Sequence, residues 1–443
     1  MKVFTAIYLE KKLFVCQGIF AFLFVFAYFF PLLFVPAIVL YFILWGFIII
    51  DIIWLFYKKQ SITAERISPN YFSLSDYNKV LINIENHDKR SFFIEVIDEP
   101  PFQFQMRDFS VKLKLNALEN KSIDYSLNPK TRGEYEFNNI NLFVKTKIGI
   151  IKRRIIIEQN QTVKVYPSIQ QMKKMELFTF SKISKNYGIK KQKHKGLSYE
   201  FEQLKEYSVG DDIRHLNWKA SARNTTLMIN QFIDEKSQSI YNIIDKSRSM
   251  LMPFNELSLM DYAINSALVI SNIGLKKHDR IGLITYSDVI GNIIKADNKN
   301  GQLRLILETL YKQKERYTEA NNELLYFSVK RVISNRSLIF YYTNFESIST
   351  VKRSLPFLLK IKKLHLLVVI IFENENIKNL SERTANSIEE VYTQILAEQA
   401  VNEKQLIVNE LNSMGIQTIL TQPENLNINV INKYLEIKSR GMI

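Results

Sequence analysis

The stretch of sequence that decides the fold of the C-terminal part reads Ser239-Ile-Tyr-Asn-Ile-Ile-Asp245-Lys-Ser247-Arg-Ser249. Isoleucine and tyrosine dominate its first six residues, which is typical of a strand buried on both faces of a parallel sheet. A D-x-S-x-S sequence follows this strand directly, beginning at Asp245. Because ligands of open α/β sheets gather at the carboxyl ends of the strands, Asp245, Ser247 and Ser249 form the first candidate site.

Downstream of this strand, short apolar runs alternate with amphipathic stretches, which predicts parallel strands joined by helical crossovers. Further strands are predicted at 280–286, 337–342, 364–372 and 417–421. Helices are predicted at 257–275, 301–312, 323–333, 346–361, 384–412 and 428–437. The sequence thus predicts an α/β doubly wound domain over residues 239–443.

Upstream, residues 60–168 have a different hydrophobic pattern, in which apolar and polar side chains alternate with period two. The apolar members of two such runs are Phe102, Phe104, Met106, Val111, Leu113 and Leu115. This alternation is typical of strands with one face in water, and turn residues recur between the runs. We therefore expect a small antiparallel β-sandwich, in which no catalytic grouping stands out.

The N-terminal region, residues 1–59, carries an almost wholly apolar run at 13–57 in which Gln17 and Asp51 are the strongly polar exceptions. One helix of that length would measure about 68 Å, whereas the hydrocarbon core of a bilayer is about 30 Å thick. The run therefore predicts a transmembrane helical hairpin that breaks near residues 31–36, where prolines interrupt it. Asp51 is expected to pair or to snorkel near the membrane interface.

Basic residues flank this hairpin on both outer sides: Lys2, Lys11 and Lys12 before it, and Lys58, Lys59 and Arg66 after it. The positive-inside rule places both flanks in the cytoplasm. We therefore expect a multi-pass protein of the plasma membrane whose soluble domains face the cytoplasm, with the membrane itself as the first partner.

Between the two soluble domains, residues 169–238 are predicted to form a basic linker and a signature segment. The run at 172–195 contains one acid, Glu176, and eight lysines, which together give it +7 of the net charge of +15. The lysines are at positions 173, 174, 182, 185, 190, 191, 193 and 195. The simplest interpretation is a solvated linker. The alternative is that lysines 182–195 bind anionic lipid or nucleic acid. Nucleic acid is the weaker option, because no aromatic residues are interleaved for base stacking.

Several function classes are excluded by simple counts. Cys16 is the only cysteine, so neither an intramolecular disulfide nor a cysteine-based zinc site is available. The five histidines are far apart in the sequence, and the chain contains no glycine-rich phosphate loop and no nucleophile elbow. We therefore expect neither enzyme activity nor a small-molecule substrate.

The D-x-S-x-S loop suits a hard divalent cation. A carboxylate and two hydroxyls at alternate positions can present three oxygens to one point, and Mg²⁺ prefers octahedral oxygen ligation. Such an incomplete shell leaves a position that the carboxylate of another protein can fill. The competing interpretation is that Ser247 and Ser249 only cap the helix that follows.

A longer motif lies upstream of this loop. Its segments are Gly196-Leu-Ser-Tyr-Glu200-Phe201, Leu204-Lys-Glu-Tyr207, Gly210-Asp-Asp-Ile-Arg214, Asn217-Trp218 and Ser221-Ala-Arg223. The motif resembles the signature of a bacterial family named as domain of unknown function fifty-eight. The D-x-S-x-S loop resembles the start of the metal-ion-dependent adhesion site of von Willebrand factor A domains. The order of two apolar helices, an immunoglobulin-like sandwich and an A-type domain is also similar to that family.

The resemblance implies a noncatalytic, membrane-bound adaptor with a chaperone-like role, whose partner is a MoxR-type AAA+ ATPase. It also implies that Ser247 and Ser249 bind Mg²⁺ directly and Asp245 through water. Thr318 is then the candidate hydroxyl from a second loop. The third loop should offer an aspartate but has Asn344. Asparagine keeps the oxygen and loses the charge, so it stays open whether the site holds a metal.

Six residues of the signature are candidates for partner binding or for an internal clasp: Glu200, Asp211, Asp212, Arg214, Trp218 and Arg223. As a docking surface, they would use Trp218 as a rigid anchor. As a clasp, the arginines would pair with the acids and Trp218 would pack on the sheet. A third interpretation is a metal-dependent hydrolase in which Asp211 and Asp212 hold the cation. In that case Lys205 or Lys219 would lie near the substrate.

Overall fold

The computed structural model describes residues 6–57, 62–106, 109–185, 200–209, 211–224, 226–233, 237–383 and 387–442. The chain divides into two compact units, Met1–Tyr166 and Pro167–Ile443. The first unit combines the apolar helices with a β-rich region. The second contains the α/β domain together with the segment predicted as a linker.

The N-terminal apolar run forms two helices, α1 (Lys11–Phe29) and α2 (Phe34–Phe56), separated by a 3-10 turn at Pro31–Leu33. Helix α1 ends before this turn because proline cannot donate the backbone hydrogen bond that would continue it. Both helices are long and apolar enough to cross a membrane. Large apolar side chains are exposed on both, among them Phe22 and Phe42 at 70% each. Lipid would cover this surface.

The β-rich region of the first unit is built from short strands in three sheets. In the part of the chain that the structure describes, they are β1 (Ile7–Leu9), β2 (Ile62–Ile67), β3 (Tyr71–Ser73), β4 (Asn78–Asn86), β5 (Phe92–Asp98), β6 (Val111–Leu115), β7 (Asn120–Leu127), β8 (Gly133–Phe137), β9 (Ile140–Lys145), β10 (Ile151–Ile157) and β11 (Gln161–Tyr166). The sheet orders are β1-β10-β9-β5-β6, β2-β4-β7 and β3-β11-β8. Apolar side chains of the first two sheets meet in one core, which Leu13, Ile48 and Leu55 of the helices join.

One predicted strand, with Phe102, Phe104 and Met106 on one face, is wrong. The chain forms a 3-10 turn at Phe102–Phe104 instead. Pro101 lacks the N–H that a strand ladder needs, and Gln105 has a φ of 52°, in the left-handed region, which turns the chain. Phe102 accordingly remains 85% exposed. The alternation resumes as a strand at β6, as predicted.

Asp51 of α2 is fully buried and does not snorkel. Its Oδ1 accepts a hydrogen bond from Thr146 Oγ1 at 2.5 Å, and its Oδ2 accepts from the backbone N–H groups of Ile150 and Ile151 at 3.3 Å each. These bonds offset the cost of burying a carboxylate and fasten the end of α2 to the turn between β9 and β10. Strand β1, which was not predicted, pairs with β10 and fastens the start of α1 to the same sheet.

The second unit is built around a six-stranded sheet with the order β18-β17-β14-β19-β20-β21. Its strands are β14 (Ser239–Asp245), β17 (Arg280–Tyr286), β18 (Ile290–Asp297), β19 (Leu338–Tyr342), β20 (Leu366–Phe372) and β21 (Gln417–Thr421). All neighbours are parallel except β17 and β18. The edge strand β18 was not predicted, because most of its residues are half-buried or exposed and it lacks the long apolar run of the others.

Helices cover both faces of this sheet. They are α5 (Leu259–Lys276), α6 (Gln302–Tyr311), α7 (Asn322–Val332), α8 (Ile348–Leu364), α9 (Glu375–Ser381), α10 (Ile388–Ser413) and α11 (Leu426–Arg440), and a small hairpin of β15 (Pro253–Phe254) and β16 (Leu257–Ser258) precedes α5. One core joins the sheet to α5, α6 and α11, and another joins it to α7, α8 and α10. The structure therefore confirms an α/β domain with a largely parallel sheet.

The segment predicted as a solvated linker begins with a helix, α3 (Ile169–Lys185). Met172 and Met175 of this helix pack against the core that contains α5, and Glu176 accepts hydrogen bonds from two side chains of α5. The linker prediction is therefore wrong here, because one face of the segment carries methionines and not lysines. The lysines at 190, 191, 193 and 195 lie outside the described residues, so the lipid and nucleic-acid alternatives stay predictions.

Candidate functional site

The D-x-S-x-S loop leaves β14 at the carboxyl edge of the sheet. Asp245 Oδ1 accepts a hydrogen bond from the backbone N–H of Ser247 at 2.8 Å, the local turn that aspartate favours. Ser247 Oγ lies 3.1 Å from Ser249 Oγ. Asp245 Oδ2 accepts from Thr343 Oγ1, in the loop after β19, at 2.8 Å. The three predicted side chains therefore lie together, and we call Asp245, Ser247 and Ser249 the rim site.

The three residues of the rim site differ in how deeply they are buried. Asp245 is 1% exposed, and burial raises the pKa of its carboxyl above the ordinary value. The hydrogen bonds from Ser247 and Thr343 oppose this rise without cancelling it. Ser247 is also buried, whereas Ser249 is half-buried. A ligand from outside would therefore meet the hydroxyl of Ser249 first, with Asp245 behind it as support.

Thr318 lies beside this loop, because its backbone carbonyl accepts a hydrogen bond from the N–H of Arg248 at 3.0 Å. Its hydroxyl, however, donates to Asp288 Oδ1 at 2.9 Å. Hydrogen bonding from Ser287 first, and then from Thr318, lowers the pKa of the Asp288 carboxyl, which Arg316 also contacts at 3.0 Å. The predicted role of Thr318 as a metal ligand therefore has no support in this geometry, since its hydroxyl is directed to another carboxylate.

Asp288 is a residue of this edge that sequence reasoning missed. It follows the end of β17 by two positions, next to the loop that carries Thr318. The rule that selected Asp245 at the end of β14 also applies to a carboxylate at the end of β17. The sequence therefore contained the information needed to select Asp288, because the strand that precedes it was itself predicted.

Asn344, which stands where an aspartate was expected, lies against the rim site. Its Nδ2 donates to the backbone carbonyl of Ser249 at 3.1 Å. Its Oδ1 accepts from Lys404 Nζ at 2.5 Å, and the same ammonium donates to the carbonyl of Phe345 at 2.6 Å. Burial lowers the pKa of Lys404 to about 8. The oxygen that was expected to bind a metal is therefore bound by an ammonium of α10.

These residues do not fit the Mg²⁺ site that the resemblance implies. Mg²⁺ requires oxygen ligands that are directed to it and negative charge that balances its own. The Thr318 hydroxyl is directed to Asp288, and the Asn344 oxygen to Lys404. The rim site supplies one carboxylate, and a divalent ion placed there would also be repelled by the neighbouring ammonium. Asp245, Ser247 and Ser249 lie together, and Thr318 and Asn344 lie beside them with their side-chain oxygens bound to other groups.

A shallow cleft of about 600 Å³ lies beside the same loop. Its lining includes the cations Lys246, Lys312, Lys314 and Arg316, together with two acids. Burial, and then the charge of Arg316, lowers the pKa of Lys246. Crowded cations of this kind gain free energy from an opposite charge. The carboxyl edge of the sheet therefore combines hydroxyl groups with a cationic surface, which suits an acidic ligand.

The signature segment forms two antiparallel strands with a short helix between them: β12 (Glu200–Glu206), α4 (Trp218–Ser221) and β13 (Met228–Ile233). Glu200 begins the first strand, and Trp218 begins the helix. Trp218 is 69% exposed, so its indole does not pack on a sheet as the clasp interpretation expects. The physical reason is local, because Asn217 caps a helix of a single turn and leaves its first residue in solvent.

The two adjacent acids of the signature serve local structure. Asp211 Oδ2 accepts hydrogen bonds from Lys205 Nζ at 3.2 Å and from the backbone N–H of Ser208 at 3.1 Å. Asp212 Oδ1 accepts from the backbone N–H of Arg214 at 3.0 Å and caps the turn that follows. Because the carboxylates have separate partners, this geometry gives no support to a shared cation or to a hydrolase centre. The side chains of Arg214 and Arg223 are exposed.

Large apolar side chains are exposed on and around this hairpin. They are Leu204, Val209, Ile213, Trp218 and Leu227, which we call the hairpin patch. Exposed apolar side chains around a tryptophan are typical of a protein-binding surface. The sequence had offered docking and clasp as alternatives for Trp218, and its exposure favours docking.

The solved structures that resemble this chain do so weakly. The CARDB domain of PF1109 from Pyrococcus furiosus matches 24% of this chain and 94% of its own, with 15% identity and a TM-score of 0.17. The ASH/PapD-like domain of human CEP192 matches 24% of this chain and 87% of its own, with 9% identity and a TM-score of 0.20.

Two sequence comparisons found relatives of this chain. A stretch of 130 residues is 25% identical to the uncharacterized protein YeaD of Bacillus subtilis (strain 168), which is 29% of this chain and 32% of that protein. The chain therefore spans about a third of the length of this curated relative. Residues 203–347, which include the D-x-S-x-S loop, Thr318 and Asn344, match the family described as Protein of unknown function DUF58.

Proposed function

We propose that this protein is a membrane-anchored docking protein, whose rim site and neighbouring cationic cleft bind an acidic segment of a protein partner. The observation that carries the proposal is the meeting of the Ser247 and Ser249 hydroxyls at the edge of a parallel sheet, beside a cleft lined by lysines. Hydroxyl and ammonium donors are the groups that bind a carboxylate most strongly when they act together. The proposed role is noncatalytic.

The architecture supports this role. We infer a von Willebrand factor A-like fold for the second unit, because the D-x-S-x-S loop ends an interior strand of a largely parallel sheet with helices on both faces. We infer an immunoglobulin-like arrangement for the β-rich region, because two antiparallel sheets share one core. The two apolar helices provide the anchor in the plasma membrane, and the lysines that flank them favour a cytoplasmic position of both units.

The partner that we propose is a MoxR-type AAA+ ATPase. Support comes from the resemblance of the signature segment and from the match of residues 203–347 to the DUF58 family. An acidic surface on the ATPase would complement the cleft that contains Lys246, Lys312 and Lys314. The hairpin patch offers a second, apolar contact for the same partner.

The test of the rim site is copurification of the ATPase from detergent-solubilised native membranes. In Ser247→Ala/Ser249→Ala, we expect recovery of the ATPase to fall about tenfold or more, because each hydrogen bond to a charged group contributes about 1.5–3 kcal/mol. Ser439→Ala, which removes an exposed hydroxyl from α11, is the matched control and should leave recovery unchanged. Equal recovery of wild type and the double variant would exclude the rim site as the docking point.

The hairpin patch yields a separate prediction. Trp218→Ala should change the free energy of unfolding by less than about 0.5 kcal/mol, because the side chain is 69% exposed. It should weaken ATPase binding by about 1–2 kcal/mol if the indole is an anchor. Thermal unfolding and copurification of the full-length protein measure the two effects, with Phe327→Ala on α7 as an exposed aromatic control. A large loss of stability would restore the clasp interpretation.

A further inference from the structure

A cation of the chain itself binds Asn344, the side chain through which the third loop would reach a metal in the site that the resemblance implies. Lys404 extends from α10 to the loop after β19, where its Nζ donates to Asn344 Oδ1 at 2.5 Å and to the carbonyl of Phe345 at 2.6 Å. Asn344 Nδ2 in turn donates to the backbone carbonyl of Ser249 at 3.1 Å. A single amide group therefore separates the ammonium from the rim site.

The surroundings of Lys404 leave it able to act on a ligand. Burial lowers its pKa, and Glu346 and Glu403 oppose this by attraction at longer range. The carboxylate of Glu403 accepts the backbone N–H of Ile348. An ammonium carries three donors, and the described residues give this one two acceptors. Its side chain is half-buried, and a ligand at the rim would have to take the third donor.

The position of this lysine changes the chemistry of the rim. In a metal-dependent adhesion site, the ion supplies the positive charge that holds a foreign carboxylate. Here an ammonium, one amide group away from the rim site, binds the oxygen that the third loop would have given to the ion. A divalent cation would have to displace Lys404 from Asn344 and tolerate its charge. A metal ion that uses the Asn344 oxygen would therefore compete with the ammonium.

We infer that Lys404 replaces the metal ion of the rim site, so that the site binds an acidic side chain of a partner without a divalent cation. The nature of the ligand rests on the proposed function. The exclusion of the metal does not, because it can be measured on the protein alone. Lys404 supplies charge, Asn344 holds it in place, and the hydroxyl pair of Ser247 and Ser249 donates to the ligand through Ser249, its more exposed member.

The first experiment titrates Mn²⁺, a probe for hard divalent ions, into the full-length protein in detergent and follows free Mn²⁺ by electron paramagnetic resonance. We expect no stoichiometric binding by wild type, a result that depends on no variant. Asn344→Asp/Lys404→Met restores the carboxylate and removes the ammonium, so we expect its Mn²⁺ affinity to be at least about tenfold higher. Asn344→Asp alone keeps the ammonium beside the new carboxylate and should bind no better than wild type.

Three results would overturn the inference. One is stoichiometric binding of Mn²⁺ by wild type that Ser247→Ala abolishes. Another is binding by Asn344→Asp alone as tight as that of the double variant, since the ammonium would then be irrelevant. The third is a double variant with the circular dichroism of wild type and no gain in affinity.

A second experiment separates this inference from the proposed function. Lys404→Met should lower recovery of the ATPase about tenfold, as Ser247→Ala/Ser249→Ala should. If the serine variant loses the ATPase and Lys404→Met retains it, the docking site stands and the role of Lys404 is wrong. If neither variant loses it, the proposed docking site is itself wrong, while the Mn²⁺ titration still decides whether the rim excludes a metal.

Discussion

Replacing Arg66 by methionine is expected to destabilise the β-rich region by about 3–5 kcal/mol, because the carboxylate of Asp98 would remain buried without a counter-charge. Both side chains are fully buried, and Arg66 Nε donates to Asp98 Oδ2 at 3.0 Å. The same guanidinium donates to the backbone carbonyls of Asn138 and Gln159 at 2.9 and 3.0 Å. One substitution therefore removes the guanidinium donor from Asp98, Asn138 and Gln159 at once.

Unfolding of the full-length protein in detergent measures this effect, and hydrogen exchange of β2, β5 and β7 assigns it to the β-rich region. Lys112→Met is the matched control, because that lysine is 74% exposed and its contact with Glu95 is 3.7 Å long. It should cost less than about 0.5 kcal/mol. Equal stability of Arg66→Met and wild type would contradict the burial of this pair. The sequence prediction, which had listed Arg66 among the basic residues after the membrane hairpin, did not foresee this pairing.

Asp279→Ala is expected to destabilise the α/β domain by about 3–5 kcal/mol. Asp279 is fully buried in the turn before β17. Its Oδ2 accepts from Tyr434 Oη at 2.6 Å and from Lys438 Nζ at 2.9 Å, and its Oδ1 accepts from the backbone N–H of Gln238 at 3.2 Å. The substitution would remove the carboxylate that accepts from the Tyr434 hydroxyl and from Lys438, and would weaken the attachment of α11 to the sheet.

Hydrogen exchange of α11, measured together with the unfolding of the whole protein, identifies this loss. Asp297→Ala is the matched control, since that carboxylate lies on the edge strand β18 and pairs with Lys299 at the surface. The control should leave stability nearly unchanged, because exposed ion pairs contribute little. Unchanged protection of α11 in Asp279→Ala would show that apolar packing alone holds this helix.

The sequence predicts those parts of the fold in which local pattern and tertiary position agree. Strand β14 has an apolar run that only a buried strand explains, and the hydroxyls that follow it lie at the sheet edge, as expected. The apolar run at 13–57 is broken by proline where α1 ends. By contrast, β18 pairs along one side and faces water on the other, so its composition carries little signal.

In the candidate site, contacts within one turn can be predicted from the sequence, whereas contacts between distant elements cannot. Ser247 and Ser249 meet because they are two residues apart on one turn, which spacing alone predicts. The contact of Lys404 with Asn344 joins α10 to a loop far from it in sequence, and only the packing of the helix on the sheet creates it. Likewise, the exposure of Trp218 depends on a one-turn helix whose boundaries no periodicity reveals.

The central claim is that the rim site is the surface on which a partner docks, and site-specific photo-crosslinking tests it most directly. Arg248 is exposed between the two rim serines, and His278 is exposed at the amino edge of the same sheet. With a photoreactive residue in each position, we expect a crosslink to the AAA+ ATPase at 248, in a peptide that contains aspartate or glutamate, and none at 278. Crosslinks at 278 alone, or equally at both positions, would contradict docking at the rim.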